Sequence, residues 1–395
     1  MVIKLSKIYF HIDVNNAFLS WEAVKKLKQG EKIDLRTIPS AIAGDPKKRT
    51  GVILAKSPIA KKMGVKTGEP IFSAMKKCPN LVCVPPNHEY YEEQSIKLKK
   101  FLEKYSDEIE PYSIDECFIA HIPLLGEPLE VANKIKDDIY NTFGFTVNIG
   151  VSDTKYLAKI ASDFEKPNKI HTLYRYEIKE KLWPLKIESM FLLGGKTAAK
   201  LKTLGINTVE KLAKTDINIL KTHLKSHGEE LYNFAWGKDI DEKHERKENP
   251  KSVGHSKTST YDLTNTEEIY SFLLDITCDT CNRLRKENMK AKTITVNVKT
   301  NNFKVYSSSY TLDFPTNITT EIFNSAKKIL NNMYKGEPLR LIGISLSNLE
   351  KSEIDQLNIF DTSNEKEHKL DKTVDDILNK FHNNHIVTRG SLLKK

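Results

Sequence analysis

Apolar residues recur along this chain with two periods, and the places where the period changes outline its elements. Ile8 to Asp13 is a short apolar run that ends on an acid, and Phe18 to Val24 then follows a helical pattern. Gly51 to Leu54 reads as a strand running into a short helix. Pro58 suits the first turn of that helix and Gly64 its C-terminal end. Tyr90 to Tyr105 is amphipathic, with Ile96, Leu98, Phe101 and Leu102 as its apolar positions. Leu129 to Thr142 places Val131, Ile135 and Ile139 at helical spacing, Phe145 to Val151 alternates as a strand, and Lys155 to Phe164 is helical again. Between the first two of these helices lies an apolar stretch, Tyr112 to Ile119, interrupted by Asp115 and Glu116. Successive strand residues point to opposite faces, so the adjacent acids predict a tight turn between two strands with both carboxylates near its tip. Strand, helix, hairpin, helix, strand is the order of a ferredoxin-like unit.

The remainder has a second pattern. Residues 169–238 are mostly helical, and 239–250 are highly charged and end in Pro250, as a linker would. Residues 251–350 read β-α-β-β-α-β, with strands at 252–261, 291–300, 303–310 and 339–346 and helices at about 266–287 and 319–334.

Length and charge refine this outline. The 395 residues exceed one ordinary core, so several domains are expected. No run of about 18 apolar residues is present, which predicts no membrane span. The N-terminus lacks a signal-peptide core, and five scattered cysteines fit reduced thiols, so a cytoplasmic location is expected. The net charge of +10 is unevenly spread. Residues 22–78 hold 14 basic and 5 acidic side chains, whereas 79–168 hold 9 and 16. Basic segments beside an acidic centre suit a metal site with phosphate-gripping neighbours, although lysine-rich surfaces also merely solubilise. Charge alone does not separate these readings.

The acids do more. Asp13 at the end of a strand, with Asp115 and Glu116 at a turn, offers oxygen ligands of the kind hard cations take. Two such ions roughly 3.5–4 Å apart can serve both oxygens of a phosphoryl transfer. A solvated hairpin turn is the alternative for the acidic pair taken alone.

Three blocks carry a resemblance. Asp13-Val-Asn-Asn-Ala-Phe18, Tyr112-Ser-Ile-Asp-Glu116 and Leu157 to Asn168 (LAKIASDFEKPN) resemble, in sequence and spacing, signature blocks of the Y-family DNA polymerases, with DinB/UmuC-like bacterial translesion enzymes as the nearest type. The resemblance implies an α+β, right-hand polymerase. Its ferredoxin-like palm would be 1–21 and 79–168, its small fingers 22–78 and its helical thumb 169–238. A linker at 239–250, a β-α-β-β-α-β little finger at 251–350 and a tail at 351–395 would complete it. It implies error-prone, template-directed DNA synthesis without proofreading by a monomer, with Asp13, Asp115 and Glu116 holding two Mg²⁺ ions and the Val14 carbonyl as a further ligand. Asn16, Ala17, Phe18, Ala55, Lys61 and Lys166 would meet the incoming dNTP, and Phe18 would exclude a ribose hydroxyl. Relatives often have Tyr and Arg where this chain has Pro58 and Lys61. Lys61 can neutralise phosphate without the bidentate fork of an arginine.

Primer–template DNA would be gripped at the hairpin Gly194, Gly195 and Lys196, although a glycine usual in the family is replaced by Leu192. Further contacts would come from Lys251, His255, Lys257, Lys299 and Lys304. Gln356, Leu357, Ile359 and Phe360 resemble the peptide that bacterial polymerases insert into the β sliding clamp; a short stretch packing on its own domain is the alternative. Two rivals to the polymerase remain: a non-catalytic repair scaffold that kept the fold, and another two-metal nucleotidyl transferase or nuclease with a similar palm.

Overall fold

A computed structural model describes residues 7–45, 51–239, 250–351 and 362–381. The chain divides into two units, Met1–Glu245 and Arg246–Lys395. No described helix is long and apolar enough to cross a membrane.

The first unit opens with β1 (Tyr9–Val14) and α1 (Ala17–Lys28). Asn16 joins them in the left-handed region at φ 51°, which Asn tolerates better than most residues. An insertion follows, built of β2 (Ser40–Ala43), β3 (Ile53–Lys56), α2 (Pro58–Lys62), α3 (Ile71–Lys77) and β4 (Val82–Val84). The Ser57 hydroxyl accepts from Ala60 N, Pro58 stands in the first turn of α2, and Gly64, at φ 85°, lies just beyond its end, as the sequence predicts. β4 pairs in parallel with β2, so residues 82–84 belong to the insertion's sheet and not to the sheet of β1.

After α4 (His88–Leu102) come β5 (Ile109–Pro111), β6 (Glu116–Ala120), α5 (Pro128–Phe143), β7 (Val147–Ser152), α6 (Lys155–Ser162) and β8 (Ile170–Thr172). The five strands form one sheet in the order β5-β6-β1-β7-β8. β8 extends that sheet past residue 168, where the palm was expected to stop. Ile96 of α4 differs from its expected role: it is exposed, while Tyr91, Ser95, Leu98 and Leu102 face inward. Leu98 and Leu102 keep their expected place, and Tyr91 extends the stripe by packing against Phe18 and Trp21 of α1.

Four helices complete the unit: α7 (Gly195–Thr203), α8 (Val209–Lys214), α9 (Ile217–Leu224) and α10 (Ser226–Ala235). Their core takes in Tyr156, Leu157, Ile160 and Ala161, so α6 is shared between the sheet and the helical part. Two contacts fix α6. Asp239 accepts the backbone N–H groups of Lys155 (3.2 Å) and Tyr156 (3.1 Å) at its first turn. Gly150 of β7 lies so close to it that an added Cβ would stand 1.9 Å from the Ala158 carbonyl oxygen.

The second unit has β9 (Ser252–Leu263), α11 (Thr266–Lys286), β10 (Met289–Thr300), β11 (Val305–Thr316), α12 (Thr319–Met333) and β12 (Leu339–Lys351), the expected β-α-β-β-α-β succession. Its antiparallel sheet runs β11-β10-β12-β9, with α11 and α12 on one face over Ile294, Val296, Ile342 and Ile344. The tail adds α13 (Thr362–Phe381), an element the pattern did not announce. Asp371 of α13 is buried and accepts from Thr319 N (3.0 Å) and Thr319 Oγ1 (2.7 Å), capping α12. Asp375 receives Arg285 through Nε (2.5 Å) and Nη2 (2.9 Å).

Candidate active site

Antiparallel pairing sets the site. β1 and β6 place Asp13 directly opposite Glu116, so both side chains leave the same face of the sheet at one end of its central strands. Asp115 occupies the turn just before β6, and its carbonyl accepts from Val14 N at 3.1 Å. Asp13 and Glu116 are thus brought together, whereas Asp115 is near them through its backbone. The Asp115 carboxylate accepts the Ser113 hydroxyl at 2.7 Å, while those of Asp13 and Glu116 converge. Among the described residues no three His, Cys, Asp or Glu side chains form a metal-binding cluster.

Two ammonium groups occupy the convergence. Lys159 Nζ lies 2.7 Å from Glu116 Oε1, 3.4 Å from Asp13 Oδ2 and 3.4 Å from Asp163 Oδ2. Lys166 Nζ lies 2.8 Å from Asp13 Oδ2 and 2.8 Å from Asp163 Oδ1. Lys166 was expected near this place, but Lys159 was not. Among positions 156–162 of α6, all of them buried, it is the one charged side chain. Buried His11 completes the surroundings. Its Nδ1 shares a 2.8 Å hydrogen bond with Ser162 Oγ, and its Nε2, 3.7 Å from Glu116 Oε2, has no hydrogen-bond partner.

The electrostatics follow from burial and charge. Burial pushes the Asp13 carboxyl up to about 7, against the pull of Lys166 and Lys159. Burial acts in the same direction on Glu116, but His11 and Lys159 outweigh it and hold that carboxyl well below the usual range. Burial alone would lower Lys159; Asp13, Glu116 and Asp163 reverse this and raise it. His11 is lowered, chiefly by burial. Carboxylates that draw two ammonium groups into a buried corner demand positive charge, and their oxygen donors suit a hard divalent ion. The residues present fit such an ion.

Of the expected nucleotide-side residues, Asn16, Ala17 and Phe18 stand at the start of α1, and Ala55 belongs to the cluster on which Phe18 packs. Asn16 Nδ2 donates to the Lys56 carbonyl (2.7 Å), tying that turn to the insertion. Ala17 is buried, and half-buried Phe18 stacks on Tyr91 with centroids 4.5 Å apart. Phe18 also packs on the small cluster that contains Ala55. Lys61 is exposed in the last turn of α2, and its charge helps burial to lower Lys56.

Gly194 and Gly195 begin α7 with open space where side chains would stand, and Lys196 beside them is exposed. Leu192 adopts φ 65°, the conformation for which glycine is the usual choice, and is 45% exposed.

In the second unit the expected cations separate. Lys251 and Lys304 are exposed, and Lys299 lies on the sheet face away from the helices. His255 and Lys257 do not join them. They pair across the sheet with core residues Ile344 and Ile342 and so face α11, where Lys257 bonds Asp275 (2.5 Å) and His255 lies 3.5 Å from Asp279. Strand alternation decides this, since the helices cover the odd-numbered side of β9. The face away from α11 and α12, uncovered among the described residues, carries small polar side chains that sequence reasoning missed: Ser252 and Ser256 on β9, Ser345 and Ser347 on β12, Thr295 and Asn297 on β10, and Ser307 and Ser309 on β11. Gln356, Leu357, Ile359 and Phe360 lie outside the described residues.

Comparison with known proteins bears on this geometry. Residues 12–163 match the impB/mucB/samB family, 250–359 its C-terminal domain, and 177–206 the HHH motif of the same family. The chain is 43% identical over 394 residues to a DNA polymerase IV of Clostridium acetobutylicum, covering 99% of each. It is 32% identical to DNA polymerase IV 2 of Bacillus subtilis, covering 98% of this chain and 95% of that one. In fold it is similar to a solved Y-family DNA polymerase chimera, with TM-score 0.72 and 24% identity over 87% of this chain and 99% of that one. The chain thus belongs to the impB/mucB/samB family, the Y-family DNA polymerases of DNA polymerase IV type.

Proposed function

We propose that this chain is a translesion DNA polymerase that joins a dNTP to a primer 3′-hydroxyl at the corner formed by Asp13, Asp115 and Glu116. The observation that carries the reading is the directly opposed pair Asp13 and Glu116, drawing two lysines into a buried corner at the end of the central strands. Divalent metal dependence is general in the family, and two Mg²⁺ ions held by the three acids and the Val14 carbonyl would supply a more acidic primer hydroxyl and a neutralised leaving group.

The protein's own residues do the rest. Lys166 is half-exposed at the edge of the corner and can turn from Asp13 to a triphosphate. Asn16 holds the turn before Phe18 against β3, and the Tyr91 stack fixes the ring of Phe18 where it can exclude a 2′-hydroxyl. Ala17 and Ala55 keep the pocket free of bulk, and Lys61 adds charge for phosphate. The N-terminus of α7, with Gly194, Gly195 and Lys196, offers backbone N–H groups to a DNA phosphate. The hydroxyl-rich face of the second unit, with Lys299, Lys304 and Lys251 near it, serves the duplex. Palm, fingers, thumb and little finger then correspond to the five-stranded sheet with its helices, the three-stranded insertion, α7–α10, and the second unit. The tail segment 356–360 is proposed to engage a sliding clamp, and the enzyme to act as a monomer.

Primer extension by the wild-type chain and by Asp115→Ala, with Mg²⁺ and with EDTA, tests the reading. Extension by wild type in Mg²⁺ alone is expected, with a loss of at least about a thousandfold in the variant. Wild type that cannot extend a primer, or Asp115→Ala that extends as well, overturns it.

A further inference from the structure

We propose that Lys159 is a built-in counter-cation, a positioning residue that holds Asp13 and Glu116 at one spacing before any divalent ion arrives and with which that ion must share them. The inference rests on the polymerase reading, since it concerns the same carboxylates. Like charges directly opposite on adjacent strands repel, so Asp13 and Glu116 need a cation between them to stay where the sheet puts them. Lys159 supplies it from a fixed support. Its side chain is 7% exposed, against 36% for Lys166. The helix that carries it is capped at Thr154, held by Asp239 at its first turn and pressed backbone to backbone against Gly150, so its ammonium has little freedom to leave.

The two lysines therefore have different parts. Lys166 follows the helix, is open to solvent and can depart with a nucleotide. Lys159 remains beside Glu116 throughout. Asp163 touches both ammonium groups, 3.4 Å from Lys159 and 2.8 Å from Lys166, and offsets their mutual repulsion. A bland alternative is a buried ion pair that only stabilises the fold; such a pair would leave divalent-ion affinity unchanged when packing is preserved.

The test is Mn²⁺ binding by the full-length protein without DNA or nucleotide, followed by electron paramagnetic resonance, together with melting in EDTA and in Mg²⁺. Lys159→Met keeps the length of the stem and removes the charge. It is expected to bind Mn²⁺ about tenfold more tightly than wild type, because a competing charge is gone. It should also melt lower in EDTA and recover more on adding Mg²⁺ than wild type gains. Lys159→Arg should remain near wild type in both. Should Lys159→Met fail to fold, Lys159→Gln carries the same expectations. A folded neutral variant with unchanged Mn²⁺ affinity and the same Mg²⁺ increment as wild type overturns the proposal. Failure of the polymerase reading is seen separately, as wild type unable to extend a primer, and leaves the Mn²⁺ comparison to stand or fall alone.

Discussion

Phe18 shows how one side chain is placed by several others. Its ring stacks on Tyr91, meets His88 edge-on and leans toward Trp21, so its position is set by aromatic packing as much as by its own backbone. Phe18→Ala should raise ribonucleotide incorporation at least about tenfold relative to deoxyribonucleotide, since only bulk opposes the hydroxyl. Single-nucleotide kinetics with paired rNTP and dNTP measure it, and unchanged sugar discrimination would contradict the assignment. At this scale the acids were legible because Asp13, Asp115 and Glu116 each break an apolar run. Lys159 was not, because the charge that justifies burying it comes from residues 43 and 146 positions away. His255 and Lys257 were misplaced for a related reason. Alternation along β9 gives two faces, but only the packing of α11 says which one is covered.

Elements were legible where periodicity was long. The six elements of the second unit start within two residues of expectation, because its buried and open faces alternate along strands of 12 or 13 residues, but β11 and β12 run six and five residues further than expected. β4 was not announced at all, and its residues fell inside the stretch expected to be palm, since three residues pairing in parallel leave little pattern. The contact of β7 with α6 is the most demanding between elements. Gly150→Ala would drive a Cβ into the Ala158 carbonyl and Ser162 N, both backbone and unable to swing aside. A loss of about 3 kcal/mol or more is expected by urea denaturation, with activity falling as Lys159 moves off the carboxylates. β9 and α11 enclose His255, lowered from 6.5 by burial first and then by Arg283 and Lys257, with Asp279 and Asp275 opposing. A histidine lowered on folding takes up its proton more readily when unfolded. The stability it contributes is present above pH 6.5 and is lost as pH falls below 6.5 through the folded value. Melting between pH 7.5 and 5 should show this fall, shallower in His255→Gln.

For the whole molecule, the division into two units was announced by the charged run 239–250, and the break at residue 245 lies within it. What composition could not announce was α13, whose fastening depends on Asp371 and Asp375 meeting Thr319 and Arg285 far back in the chain. Deleting 356–360 is expected to leave distributive primer extension near wild type while abolishing stimulation by a bacterial sliding clamp. Equal stimulation of both forms would remove that segment from the proposed partner surface.

The uncovered sheet of the second unit has one further consequence. Rows of Ser and Thr hydroxyls offer many weak, interchangeable partners and few deep anchors. A duplex resting there would exchange one set of contacts for an equivalent set at each step forward, so translocation would meet little friction and a distorted base pair would find no rigid template to reject it.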